Sequence, residues 1–420
     1  MSPRTWASVA LLGLLVASGV ATAASTPWAC RPGRPVDIPR DFTSDEVARA
    51  VAHRRRVRPW AWASAGLGTI AALALGLTPL AARLVRGVAA PLGGSWPVRA
   101  VLGTVALTLA LRLVTLPLDA GVEAGQRHDA LSTRSWRGWA LDLAKGYAVS
   151  TVVLVGVALG MYALIHALPD WWWLPAALLA AGLAVLASFV MPVVVEPIFN
   201  RFTPLPPGQL RDELLAMARR DGVPVRDVLV ADASRRSSAL NAYVSGLGAT
   251  RRIVLFDTLL QRAAPAEARL VVAHELGHAA HGDVRHGTVV GALSAAAGGC
   301  AAYLALTSGP LLGLGDAGSA GDPASLGLLL ALGTLVGLVT GPFAALVSRR
   351  VESRADLHAL GLTGEPDAFI AMQHRLAVVN QADLAPPRLA YFLFASHPTT
   401  PERIALARAW QRREQRQHAG

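Results

Sequence analysis

Charge is scarce in this sequence. Only 16% of its 420 residues are Asp, Glu, Lys or Arg, against about 25% in ordinary soluble domains. Hydrophobic residues make up 53%, and the mean hydropathy is +0.41. A soluble chain of this length could bury a large core, but its surface would need more charge. The apolar excess must face something other than water, and lipid is the simplest candidate. Lysine is nearly missing as well: Lys145 stands alone, so the net charge of +11 rests almost wholly on arginine. The arginines cluster at the ends of apolar runs, as orientation in a membrane demands. No aromatic-and-basic motif accompanies them, which argues against a nucleic-acid partner. Cysteine is limited to Cys30, near a membrane end, and Cys300, inside an apolar run. Two thiols so placed are not expected to pair, and they supply neither a disulfide framework nor a cysteine metal site. There is no repeat at a fixed period.

What is present is a series of seven apolar stretches, at roughly 6–24, 61–82, 98–118, 147–168, 172–194, 287–308 and 324–347. Each is close to the ~20 residues that cross a bilayer. The first ends in Val20-Ala21-Thr22-Ala23-Ala24-Ser25 and could pass for a signal peptide with a small-residue cleavage site. Charge argues against that reading. Eight arginines lie between Ser25 and Pro59, and a cleaved signal would leave them outside. With seven retained spans and the N-terminus outside, that loop is cytoplasmic. So are the loop with Arg127, Arg134 and Arg137, the segment 195–286 and the C-terminal tail. The outer loops are then Arg86 to Pro97, the Pro169-Asp170 turn and 309–322, the last without a basic residue. One arrangement thus satisfies the positive-inside rule at every loop.

Two polar regions remain. Segment 195–286 carries a strand-like piece, Arg252-Ile253-Val254-Leu255-Phe256, after a Gly-containing turn. It also carries a helix expected to begin at Pro265, with Glu267 in its first turn. Segment 348–420 continues the seventh helix and ends in a basic tail.

The helix from Pro265 reads Leu270-Val271-Val272-Ala273-His274-Glu275-Leu276-Gly277-His278. Histidines four apart share a helix face and can reach one metal ion. Glu275 sits where its carboxylate can hold a metal-bound water, and zinc lowers the pKa of such water to about 7. The carboxylate then takes the proton and passes it to the leaving amine. With eleven His in 420 residues, chance yields the bare motif in under about one per cent of such chains. The competing account is an amphipathic helix with two core or surface histidines.

A catalytic zinc needs a third protein ligand and an open fourth position. Glu352, directly after the seventh span, stands at the same membrane face as the histidine helix. Asp356 lies one turn further along and could accept a hydrogen bond from the non-ligating nitrogen of a metal-bound histidine. The alternative for both is a solvated helix face paired with Arg349, Arg350 or Arg354. Further on, His397 in Ser396-His397-Pro398-Thr399-Thr400-Pro401 could donate to the oxyanion of a tetrahedral intermediate, or could simply be a capping loop residue. His281, Asp283 and His286 follow the motif closely, but three ligands already fill such a site, so a surface or supporting place is expected for them.

Together these segments resemble the type I CAAX prenyl proteases, integral-membrane zinc peptidases (gluzincins). The resemblance runs through Glu196-Pro197-Ile198-Phe199-Asn200-Arg201-Phe202, Ser237 to Tyr243, Arg252 to Leu260, His274 to His278, Glu352 to Asp356, and His397-Pro398 with Arg403. It is dense over 195–405; the N-terminal half matches more loosely, in span number and in the Leu116 to His128 loop. It implies an all-α membrane protein with about seven transmembrane helices enclosing a chamber, and a cytoplasmic zinc protease domain carrying a small β element. Residues 1–194 would hold five spans, 195–286 the catalytic segment, 287–347 two more spans, and 348–420 the third ligand and basic tail.

By the same resemblance, Glu275 would be the base, His274, His278 and Glu352 the ligands of one Zn2+, and Asp356 an orienting group and proton donor. His397 and Arg403 would surround the transition state. Asn241, Ala242 and Tyr243 would form the edge strand that binds the substrate backbone by β-addition. One departure is Ala279-Ala280-His281-Gly282-Asp283, which is closer to bacterial quality-control relatives. The implied activity is endoproteolysis near a prenylated C-terminus, with a peptide or protein substrate, possibly lipidated, and a monomer in the cell membrane. Membrane-protein quality control without prenyl specificity is the alternative enzyme, and a non-catalytic transporter or sensor the alternative from another class.

Overall fold

The computed structural model describes residues 1–34, 38–246 and 248–419. In chain order its main helices begin with α1 (Pro3–Ser25), α2 (Ser44–Leu77), α3 (Trp96–His128), α4 (Trp136–Ala167) and α5 (Trp173–Val190). Then come α6 (Gln209–Arg220), α7 (Pro265–Ala280), α8 (Asp283–Leu306) and α9 (Leu326–Thr363). Last are α10 (Pro366–Val379), α11 (Arg388–Phe394) and α12 (Thr400–Ala419). Among the described residues seven of these, α1 to α5, α8 and α9, are long and apolar enough to cross a membrane. Each of the seven expected spans falls on one of them.

The boundaries have local causes. Helix α2 starts well before the expected residue 61, because Thr43 and Glu46 close a reciprocal cap, Thr43 N–H to Glu46 Oε2 at 2.9 Å and Glu46 N–H to Thr43 Oγ1 at 3.3 Å. It stops at Leu77, short of the expected 82, because Pro79 forces Thr78 into an extended conformation (φ −137°, ψ 167°). Pro192 and Pro197 remove backbone donors near the end of α5, and the helix passes through a π-helical turn, Met191–Val195, before Phe199.

Loops expected on one side of the membrane meet one another. Arg86 Nη1 reaches Asp316 Oδ2 at 2.6 Å, and Tyr303 donates to the Asp170 carbonyl at 3.0 Å. At the opposite end, α7 leads into α8 through Gly282 (φ 68°). Helices α1, α5 and α8 pack as one group and α2, α3, α4 and α9 as another. Cys30 and Cys300 are both free.

The first polar region builds one four-stranded sheet from β1 (Phe202–Pro204), β2 (Asp227–Ala231), β3 (Ala242–Ser245) and β4 (Arg252–Phe256), in the order β1-β2-β4-β3. Strands β2 and β4 are parallel; β1 and β3 pair antiparallel to them, with Ala242 opposite Leu255. The expected strand at 252–256 is β4, and Leu247, in the turn before it, lies outside the described residues. One core unites the two polar segments: Leu214, Ile253, Leu255, Leu270 and Leu276 pack with Leu360, Phe369 and Ala407.

In the membrane region α2 and α9 cross at Gly76 and Gly327, where a Cβ on Gly76 would overlap the Gly327 carbonyl. Small residues let helices approach closely in lipid, where no hydrophobic drive holds them together. Gly76→Leu is therefore expected to destabilise the protein by about 1–3 kcal/mol or more. It should lower the melting temperature of the detergent-solubilised chain; unchanged melting would contradict this crossing.

Candidate active site

Helix α7 is set by its own first turn. Pro265 occupies the first position, where its missing N–H costs nothing, and Glu267 Oε2 accepts the Ala264 N–H at 2.8 Å. Leu270, Val272, Ala273 and Leu276 are buried against the sheet and α10, which turns His274 and His278 toward α9. Helix α9 continues unbroken from the membrane span through Glu352 and Asp356.

Three side chains converge where the helices meet. His274 Nε2 lies 3.3 Å from His278 Nε2 and 3.2 Å from Glu352 Oε2, and His278 Nε2 lies 3.6 Å from Glu352 Oε1. Ligands about 2.1 Å from a shared tetrahedral ion stand about 3.4 Å apart, so the spacing fits a metal. Glu352 Oε2 is buried and accepts no hydrogen bond among the described residues, and a buried carboxylate oxygen without a donor calls for a cation. Glu352 is not the solvated, arginine-paired residue of the alternative account; it is 7% exposed.

Each histidine turns its other nitrogen to a carboxylate. His274 Nδ1 is 2.9 Å from Asp356 Oδ1, and His278 Nδ1 is 2.9 Å from Asp283 Oδ2. Asp356 is fully buried and held by the Arg403 guanidinium, with Nε to Oδ2 at 2.8 Å. Asp283 is held by Arg354. Burial alone would push the His274 pKa down, but Asp356 and Glu352 outweigh it and raise it to about 9. The pocket attracts positive charge. Desolvation pushes the Glu275 carboxyl up from its ordinary value, against the pull of His274 and His278.

Asn241, Ala242, Tyr243, His274, Glu275, His278, Glu352, His397 and Arg403 line one cleft of about 500 Å³, with Asp356 behind its wall. Strand β3, at the edge of the sheet, forms one rim. Its Tyr243 hydroxyl donates to Glu196 Oε2 at 3.1 Å, so the edge strand is tied to the end of the fifth span. His397 Nε2 lies 3.4 Å from Glu352 Oε1. His281 turns its Nδ1 to the Gly277 carbonyl at 2.8 Å and takes no part in the cluster.

Other cleft residues carried no sequence signal. Asn380 accepts the Leu240 N–H at 3.0 Å, just before the edge strand, and the buried Gln373 amide lies against Arg403, accepting from its Nη2 at 3.1 Å once the amide oxygen and nitrogen are exchanged to suit the guanidinium. The pairing of Asp283 with His278 had a faint one, the five-residue spacing, which a Gly282 turn converts into contact.

The sequence model of Peptidase family M48 matches residues 204–411, and that of the CAAX prenyl protease N-terminal region, five membrane helices, matches residues 62–201. The uncharacterized metalloprotease YhfN of Bacillus subtilis is 32% identical over 302 residues, 71% of this chain and 70% of that protein. CAAX prenyl protease 1 of Saccharomyces cerevisiae is 46% identical over 95 residues, which are 22% of this chain and 21% of the yeast protein. The crystal structure of S. mikatae Ste24p shares the fold, with a TM-score of 0.79 at 20% identity over 96% of this chain and 99% of that one. A His-His-Glu cluster spaced to hold a metal ion, a seven-span frame and these matches place the chain in peptidase family M48, as a multi-span membrane metallopeptidase acting on a peptide or protein substrate.

Proposed function

We propose that the chain is a zinc endopeptidase of the CAAX prenyl protease type, holding one zinc ion through His274, His278 and Glu352. The observation that carries this reading is the 3.2–3.6 Å approach of the two histidine nitrogens to each other and to the Glu352 carboxylate, in a cleft that also presents Glu275. Two imidazoles and a carboxylate with tetrahedral spacing favour zinc over harder divalent ions. Bound zinc lowers the pKa of water to about 7 and polarises the carbonyl under attack.

The side chains divide the remaining work. Glu275, its carboxyl raised by desolvation, takes a proton from the attacking water and returns it to the leaving amine. His397 donates a hydrogen bond to the developing oxyanion. Asp356, fixed by Arg403, orients His274, and Asp283 does the same for His278. A substrate backbone adds to β3 along Asn241, Ala242 and Tyr243, a mode that positions a peptide with little regard to its side chains. The arginine distribution favours a site open to the cytoplasm in the cell membrane, and the chain works as a monomer beside membrane lipid.

The substrate of this reading is a prenylated CAAX protein, from which a C-terminal tripeptide would be removed; the name of the yeast relative, CAAX prenyl protease 1, supports the substrate class. Quality control of membrane proteins is the second reading; the Asp283–His278 pair, five residues apart, favours it. Purified protein offered a farnesylated CAAX peptide and an unprenylated membrane protein decides between them. Cleavage of the farnesylated peptide is expected; cleavage of the second alone would reject the CAAX assignment.

Glu275→Gln is expected to keep stoichiometric zinc and lose about 10²–10⁴-fold in turnover. Glu352→Gln should lose the zinc itself, and full zinc in that variant by metal analysis would remove Glu352 from the ligand set. Asp283→Asn keeps the ligands and loses the charge behind His278. Its zinc affinity, measured by chelator competition, should fall about 10–100-fold; an unchanged affinity would leave Asp283 a surface residue.

A further inference from the structure

Arg349 lies one helical turn before Glu352 on α9 and is 4% exposed, an arginine enclosed in protein. Such a residue must be satisfied or it is strongly destabilising. Its Nη1 donates to two main-chain carbonyls, Tyr391 at 3.1 Å and Ala395, and its guanidinium stacks 4.7 Å from the Tyr391 ring centroid. These carbonyls close α11, where the negative end of the helix dipole favours a cation. Ala395 is two residues before His397.

The other end of the same loop is fastened through Tyr391. Its hydroxyl donates to Glu402 Oε2 at 2.7 Å, and that oxygen also accepts the Thr399 N–H at 2.7 Å and the Thr399 hydroxyl at 3.0 Å. The loop from Ala395 to Thr399 is thus held at both ends by one connected set of contacts. His397 itself gains little from packing, since its side chain is 62% exposed. Its imidazole is directed by the Ser396 hydroxyl, 2.8 Å from Nδ1, and by the backbone that carries both residues.

We propose that Arg349 is a positioning residue that sets the His397 loop against Glu352, so that one helix supplies both the third ligand and the registration of the histidine facing it. This rests on the role given above to His397. The experiment is a double-mutant cycle on the full-length chain in detergent, using whichever substrate is cleaved in the comparison above, with zinc content measured throughout.

Arg349→Gln is expected to keep its zinc, hold KM within about twofold and lose about tenfold or more in kcat. Arg349→Lys, which keeps the charge but not the planar fork, should recover only part of the loss. His397→Ala should lose kcat to a similar degree, and the double variant should be no slower than His397→Ala alone. If the two losses multiply, Arg349 acts elsewhere and the inference fails while the role of His397 stands. If His397→Ala turns over like the wild type, both are rejected. Tyr391→Phe deletes only the hydroxyl bound to Glu402. It supplies the same cycle should Arg349→Gln lose zinc, with multiplying losses again overturning the inference.

Discussion

Gly277 lies between the two histidines of α7, and α9 passes directly over it: a Cβ there would stand 3.1 Å from the Cβ of His358. That approach sets the distance between the histidine helix and the helix carrying Glu352. Were the two axes held apart by a side chain, Glu352 would withdraw from His274 and His278, and three donors 3.2–3.6 Å apart would no longer share one ion. Because α9 is a single helix of 38 residues, its position over Gly277 also depends on its contact with α2 at Gly76 and Gly327, near its other end. Packing in lipid and geometry at the site are thereby one problem.

The charges follow a common plan at both histidines. His274 is backed by Asp356, and Asp356 by Arg403; His278 is backed by Asp283, and Asp283 by Arg354. A carboxylate removed from water is costly unless paired and hydrogen-bonded, and each arginine answers that need from outside the cluster. The inward nitrogens of the two histidines face each other and Glu352, whose Oε2 accepts no hydrogen bond among the described residues. The arrangement is therefore balanced at its outer ring and short of positive charge at its centre, which is where the metal of this family would be held.

Much of the fold is legible in the sequence, because apolar length is a property of local composition. The seven spans, the start of α7 at Pro265 and the strand at Arg252–Phe256 depend on neighbours a few residues away. Residues 44–60 escaped that reading since they are polar and arginine-rich. Their helicity is supported by partners distant in sequence, such as Asp383 for Arg54 at 2.8 Å and Asp129 for His53 at 2.6 Å. Strands β1 and β2 are short and depend on pairing. At the site, the candidate ligands came from spacing and helix phase. Asn380, Gln373 and the reach of Arg349 to Tyr391 join residues brought together only by the fold.

Strand β3 raises a separate physical question, because an unpaired sheet edge invites association with any extended chain. Two features limit that exposure. The strand has only four residues, and it lines a cleft together with Val271 of α7 and Met372 and Leu376 of α10. Glu196 binds Tyr243 and lies within 3.3 Å of Ser245 from the end of the fifth membrane helix. This edge of the sheet is thus anchored to the end of the fifth membrane helix, through the same strand that borders the cleft.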